Sequence, residues 1–330
     1  MKQSKYGILG VCLLGLIPAT SGLAQERIQA QDMVALFEKL SGPQPGHRKA
    51  HARGLCATGT FAPVKLATGE PFAGAALLSS GGLPVLMRFS IGGGNPDADE
   101  RMPGTRGLGL QIALPNGGLH NFTGNNFPVF AGKDVETFHG FLSTLLPDEQ
   151  GKRDPQRTLD FADANPSVKD HMVWQKSAQT AASFANTEFY GLHTFYFDGA
   201  DQPRVKFRWH LSPDLGVKTL TADQAQAKPA AFLAQSLAGQ LEQGPVSFSL
   251  MASLGAPEDS DTDPSSQWPA HRPQVKLGTL TLQQSGGDQC TGKNFDPNVL
   301  SAGFSGSDDP VLKMRSPAYA ISFGKRLSGQ

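Results

Sequence analysis

Residues 46–61 read GHRKAHARGLCATGTF, and the character of the chain changes halfway along them. The first half is basic, with Arg48 and Arg53 flanking His51. The second half, residues 55–61, is an apolar, partly alternating run of the kind that forms a strand, and Gly54 and Gly59 let another backbone or a ligand approach it closely. A solvated basic turn ahead of a strand makes the same pattern. What His51 is for therefore depends on the residues that accompany it elsewhere.

Working outward, short glycine-bounded runs of the same kind recur. Strands are predicted at residues 55–62, 84–91, 105–114, 118–122, 192–197, 204–211, 246–254 and 274–282. Helical spacing replaces alternation in three places. Met33, Val34, Phe37 and Leu40 share one stripe of a leading helix or arm that stops at Gly42 and Pro43. Phe138, Phe141, Leu142 and Leu145 mark a helical section within residues 134–187, which also contains Trp174, and residues 229–241 form a further helix. Residues 258–266 read as a polar, acidic surface loop. The order predicts an α+β chain built on an eight-stranded antiparallel β-barrel with helical insertions, because closure removes the edges that eight strands would leave exposed.

Composition sets the bounds. With 330 residues, 39% of them hydrophobic, the chain buries a sizeable core, and 38 glycines with 24 prolines favour turns and strands over a helical bundle. Lys plus Arg and Asp plus Glu both number 29, so charge invites neither nucleic acid nor an anionic membrane surface. Lys2 and Lys5 precede an apolar run that ends near Pro18, followed by Gly22 and Ala24, which is the layout of a signal peptide. The expectation is a leader at residues 1–24 and an exported domain at residues 25–330, periplasmic or secreted and not inserted in a membrane. Cys12 leaves with the leader. Cys56 and Cys290 remain, and either a disulfide or two buried small side chains fits them.

Residues 307–326, SDDPVLKMRSPAYAISFGKR, hold the second informative cluster. Arg315 and Tyr319 are four apart, so on a helix they share a face and the guanidinium favours the ionised phenol. A tyrosine ordinarily titrates at about 10, and a phenolate at neutral pH needs such a cation, a metal, or both. An ordinary core tyrosine is the plain alternative.

Together these clusters resemble the haem-containing catalase superfamily, collinearly over most of the chain after the leader. The motifs are RKAHARG at 48–54, RFS at 88–90, RGLGLQI at 106–112, GNNFPVF at 124–130, GLHTF at 191–195, VKFRW at 205–209 and DDPVLKMRSPAY at 308–319. The resemblance implies a catalase-like core binding haem (heme b, with its iron) through Tyr319. It implies that His51 moves the proton of hydrogen peroxide, that Ser90 supports the imidazole, and that Asn125 orients the peroxide. Arg48, Arg88 and Arg326 are implied partners of the haem propionates, and Phe130 and Phe138 pack against the porphyrin. Arg315 would hold the phenolate, with His193 and Asp309 behind it.

The chain is shorter than full-length members, which carry a wrapping segment and a carboxy-terminal helical domain. With its leader it looks most like the small exported catalase-related peroxidases. The reaction implied is peroxide reduction through an oxoferryl intermediate, paid back by a small organic electron donor, with weak catalase activity, in a monomer or small homo-oligomer. Ala50 stands before His51 where the hydroperoxide-rearranging branch has threonine, which points away from that chemistry. Two alternatives stay open: a catalase proper, and an exported carrier that binds haem or another apolar ligand in the manner of lipocalins. His51 with Asn125 and Ser90 argues against a carrier, which needs no proton shuttle.

Overall fold

A computed structural model describes Met1, residues 27–200 and residues 202–330. The expected leader, Met1 apart, lies outside the described residues. In chain order the elements are α1 (Ala30–Ser41), β1 (Gly54–Pro63), β2 (Leu83–Ile91), β3 (Arg106–Ala113), β4 (Leu119–Asn125), α2 (Val135–Thr144), α3 (Pro155–Ala164), α4 (Lys169–Ser177), β5 (Thr180–Ala181), β6 (Phe189–Tyr190), β7 (Phe195–Phe197), β8 (Val205–Pro213), β9 (Thr219–Leu220), α5 (Ala222–Gln226), α6 (Phe232–Gln243), β10 (Val246–Leu254), β11 (Gln274–Ser285), β12 (Phe304–Gly306) and α7 (Pro310–Leu327).

Eight of the strands close a ring in the order β1-β2-β3-β4-β6-β8-β10-β11 and back to β1, every pairing antiparallel. This is the predicted eight-stranded barrel with helical excursions. Alternation sends one side of each strand inward, and the lumen is packed solid with apolar side chains. Phe89 of β2 meets Phe184, Phe189 of β6 and Phe248 of β10 at ring-centroid distances of 4.9, 5.7 and 6.3 Å, so the aromatic contacts span the barrel. Met87, Leu110, Leu250, Leu280 and Leu282 fill the remainder, all fully buried. A lumen filled in this way leaves no room for a ligand held as lipocalins hold theirs.

Two expectations need correcting in detail, and one alternative left open is decided. Residues 192–197 are not one ring strand. The ring position is taken by the two-residue β6, and β7 instead pairs with β8 and β12 outside the ring. At the departure Gly191 lies against Trp209, where a Cβ would stand 2.2 Å from the indole, and its amide still donates to the Trp209 carbonyl at 2.8 Å. Cys56 and Cys290 are joined by a disulfide across 234 positions of sequence, the pairing that spacing could not decide. Residues 258–266 are not simply a surface loop: Asp259 and Ser265 are buried, and the Arg208 guanidinium donates to the carbonyls of Ser266 at 2.6 Å and Asp263 at 3.1 Å.

The outer face of β1–β4 is covered too. α1, α2 and α7 contact one another over it, joined by Met33, Val135, Val311 and Phe138. Glu38 of α1 ties the cover together by accepting from Lys325 of α7 at 2.7 Å and pairing with Lys49 at 3.3 Å. Among the described residues, no helix is long and apolar enough to cross a membrane.

Candidate active site

A cavity of about 530 Å³ lies between that outer face and the helical cover. Its floor is set by strand register. Gly54, Ser90, Gly107 and Asn125 stand opposite one another on β1, β2, β3 and β4, a single rung across four strands. The rung two residues along carries Cys56, Arg88, Gly109 and Thr123 and faces the same way. On the first rung glycines thus alternate with functional side chains, and on the second Gly109 stands between Arg88 and Thr123.

His51 enters over the first rung from the loop ahead of β1. Its φ of 56° puts a non-glycine residue in the left-handed region, a strain of order 1–3 kcal/mol that surrounding structure has to hold. Nδ1 lies 3.0 Å from Ser90 Oγ. When Nδ1–H donates there, Nε2 is left as the proton-accepting nitrogen. Burial, reinforced by repulsion from Arg88, Arg315 and Arg48, pushes the imidazole down to about 4, so it is neutral at physiological pH. A Cβ on Gly107 would stand 2.4 Å from His51 Nδ1 and 2.5 Å from Ser90 Oγ, so only glycine lets the pair form. Asn125 Oδ1 is buried and has no hydrogen-bond partner among the described residues.

Tyr319 comes from α7. The helix starts at Asp309, whose Oδ1 accepts from the Val311 and Leu312 amides at 2.7 and 3.3 Å. Its Oδ2 lies 2.7 Å from His193 Nδ1, His193 Nε2 lies 3.1 Å from Arg315 Nη1, and Arg315 Nη2 donates to Tyr319 Oη at 2.9 Å. Burial lowers the His193 pKa against the pull of Asp309. A neutral ring that donates from Nδ1 and accepts at Nε2 satisfies every contact in the chain.

Three more guanidiniums, those of Arg48, Arg88 and Arg326, line the same cavity. Among the described residues none of them pairs with a carboxylate; they donate to main-chain carbonyls, Arg48 to Cys290 and Lys293, Arg88 to Ala52, and Arg326 to Lys293. Burial and mutual repulsion take Arg48 to about 9 and Arg88 to about 10, and burial lowers Arg326. Arg326 Nε is buried with no hydrogen-bond partner among the described residues. Such a cluster fits a ligand with its own carboxylates. Among the described residues no group of three or more His, Cys, Asp or Glu gathers to hold a bare ion. A lone phenol suits a metal whose other ligands arrive with it, as haem iron does.

Of the residues predicted from sequence, Arg48, His51, Arg88, Ser90, Asn125, Phe130, Phe138, Arg315, Tyr319 and Arg326 all line this cavity. His193 and Asp309 do not. Both are buried behind Arg315, and they reach the cavity only through its orientation. Sequence reasoning missed Gly107, Lys49, the wall formed by Phe127 and His171, and the carbonyls of the loop after β11. For Gly107 a signal exists in the alternating glycines of RGLGLQI; for the carbonyls none does.

The family model described as Catalase matches residues 24–330. The catalase-related peroxidase of Synechococcus elongatus is 36% identical over 329 residues, covering 97% of this chain and 96% of that one. The catalase-related peroxidase of Mycolicibacterium paratuberculosis is 33% identical over 288 residues, covering 85% and 89%. Catalase A from Saccharomyces cerevisiae has a like fold, with a TM-score of 0.76 at 23% identity over 90% of this chain and 64% of its own.

Three buried histidines generate a pH prediction. His51 and His171 are pushed down to about 4 and His120 to about 3, burial being the leading cause for each. Above about 6.5, the ordinary histidine value, folded and unfolded chains both hold them neutral. As pH falls from there towards 4, only the unfolded chain takes up protons, so stability must drop. Urea midpoints measured on the cofactor-free protein at pH 7, 5.5 and 4.5 should fall in that order.

Proposed function

The chain belongs to the catalase family, and from that premise we propose that it is a haem peroxidase which reduces hydrogen peroxide at His51 and Asn125 and draws its electrons from small organic donors. As a family member it is an oxidoreductase acting on peroxide, with haem as its cofactor. The observation that carries the finer reading is the pairing, on one cavity, of a phenol held by a guanidinium with a buried neutral histidine. Peroxidase rather than catalase is favoured by two relatives that carry the name catalase-related peroxidase and are matched over nearly their whole length. The cavity is also lined by the exposed Arg153 and Gln175, so it reaches solvent and gives an organic donor a way in.

In this reading Tyr319 would be the iron ligand, and Arg315 orients its oxygen by donating to it from Nη2. Arg48, Arg88 and Arg326 take the propionates. Bound there, haem would supply the two electrons that breaking the peroxide O–O bond requires, and the organic donor would restore them. His51 Nε2 removes the proton from one peroxide oxygen and returns it to the other, which leaves as water. Asn125 Oδ1 accepts a peroxide O–H, which gives that buried atom its partner. Phe130 and Phe138, 4.5 Å apart between ring centroids, keep bulk water from the reacting atoms. We extend the proposal to location: residues 1–24 act as an export signal, and the Cys56–Cys290 disulfide suits the oxidising compartment beyond it.

Tyr319→Phe removes the proposed anionic ligand, so haem content should fall severely while the barrel stays folded; a normal spectrum and stoichiometry would refute the ligand. His51→Ala should keep haem and lose about 10²–10⁴-fold in the rate of peroxide reduction, the range for general acid–base assistance. Gly107→Ala keeps the His51 imidazole but displaces it, and a misplacement of about 1 Å is expected to cost roughly 10²-fold in the same assay with haem retained.

Oxygen evolution and oxidation of a phenolic dye, measured side by side on one haem-loaded sample, separate the two names. Dye oxidation with little oxygen is the expected result. Vigorous oxygen evolution with negligible dye oxidation would make the protein a catalase proper.

A further inference from the structure

Neither cysteine of the Cys56–Cys290 disulfide lines the cavity, but the pair packs with Phe295, which does, and it fastens the segment that steers two of the guanidiniums. Residues 286–296, after β11, form turns without regular secondary structure. Two carbonyls of this loop do the steering. Arg48 Nη2 donates to Cys290 O and Lys293 O, at 3.0 Å each, and Arg326 Nη2 donates to the same Lys293 O at 3.3 Å. Arg48 also lies over the Phe295 ring, 5.9 Å from its centroid.

Like-charged side chains left to themselves swing apart towards water, where their repulsion is screened. Here Arg48 and Arg326 stay together because one carbonyl receives both. A carbonyl fixes a guanidinium only as well as its own loop is fixed. Further along, the loop is tied to β4, since Thr123 Oγ1 donates to Phe295 O at 2.6 Å and Asn121 Nδ2 to Asp296 O at 2.9 Å. At the Cys290 end the covalent tie is to Cys56 on β1, and Cys56 stands directly opposite Arg88 in the ladder. The disulfide thus ties the strand beside the third guanidinium to the loop that aims the other two.

We propose that the Cys56–Cys290 disulfide is a positioning element for the cofactor: it pins the 286–296 loop so that the Cys290 and Lys293 carbonyls aim Arg48 and Arg326 at the ligand's carboxylates. The inference rests on the reading of these arginines as partners of the haem propionates. It goes beyond that reading in giving a bond remote from the chemistry a specific effect on cofactor retention, separate from any contribution to fold stability.

The test is a double-mutant cycle on the holoprotein, read as the rate of haem transfer to excess apomyoglobin. Its four members are the natural protein, Cys56→Ala with Cys290→Ala, Arg48→Ala with Arg326→Ala, and all four substitutions together. Thermal unfolding of the cofactor-free forms is followed alongside. Removing the disulfide should speed haem release about tenfold when the arginines are present and by less than about twofold when they are absent, because coupled groups are not additive. Equal acceleration in both backgrounds would reduce the disulfide to a general brace and overturn the proposal. Arginine variants that release haem at the natural rate would overturn the propionate reading, and the proposal with it. If the paired alanine variant does not fold, phosphine reduction of the folded holoprotein, verified by thiol count, replaces it. Unchanged release after complete reduction again overturns the proposal.

Discussion

The two oxygens of Asp309 go to different tasks, and the geometry around Tyr319 depends on both. Oδ1 accepts the first free amides of α7 and so fixes where that helix begins. Oδ2 accepts from His193 Nδ1, which commits the ring's other nitrogen to accepting. Arg315 is the donor that reaches it, and with Nη1 so engaged the rigid fork presents Nη2 to the Tyr319 oxygen. Since Asp309 and His193 are each only 1% exposed, an unpartnered atom in this chain would bear a full desolvation penalty. A helix cap and an imidazole tautomer therefore determine the direction of a cation two contacts away.

The cation beside Tyr319 belongs to a larger imbalance. Arg48, Arg88, Arg315 and Arg326 share one cavity, and among the described residues none pairs with a carboxylate. Burial and repulsion make such a group costly unless a ligand brings the opposite charge. The same imbalance acts on His51: burial is the largest cause of its lowered pKa, and since protonation would add one more positive charge, Arg88, Arg315 and Arg48 each oppose it as well. One set of guanidiniums can thus both recruit an anionic group and keep a neighbouring histidine in its base form.

Much of this was legible in the sequence, though unevenly. Glycine-bounded alternating runs located the long strands, since those strands bury one face in the lumen and the pattern records it. The two-residue β6 escaped because no periodicity fits in Phe189–Tyr190. The Arg315 and Tyr319 pair was visible as an i, i+4 spacing within one helix. His51 and Ser90, 39 positions apart, meet only through the β1–β2 ladder, so ordered resemblance and not spacing put them together. Main-chain carbonyls such as that of Lys293 carry no side-chain signature, and whether Cys56 met Cys290 depended on a fold that places their Cα atoms 5.7 Å apart.

The barrel contributes a rigid wall with two differently used faces. Inward residues such as Phe89 and Leu110 are fully buried against the far strands, which fixes the register of β2 and β3 because a one-residue slip would turn them out of the lumen. With register fixed, the outward residues Ser90 and Arg88 have no freedom to shift along the strand. The glycines at 107 and 109 then leave room for what comes from elsewhere, His51 over one and Phe295 over the other. α1 closes the arrangement, its Met33, Val34 and Phe37 stripe facing the cavity while Glu38 holds both α7 and the His51 loop through Lys325 and Lys49. Lumen packing thus determines the position of a site that lies entirely outside the lumen.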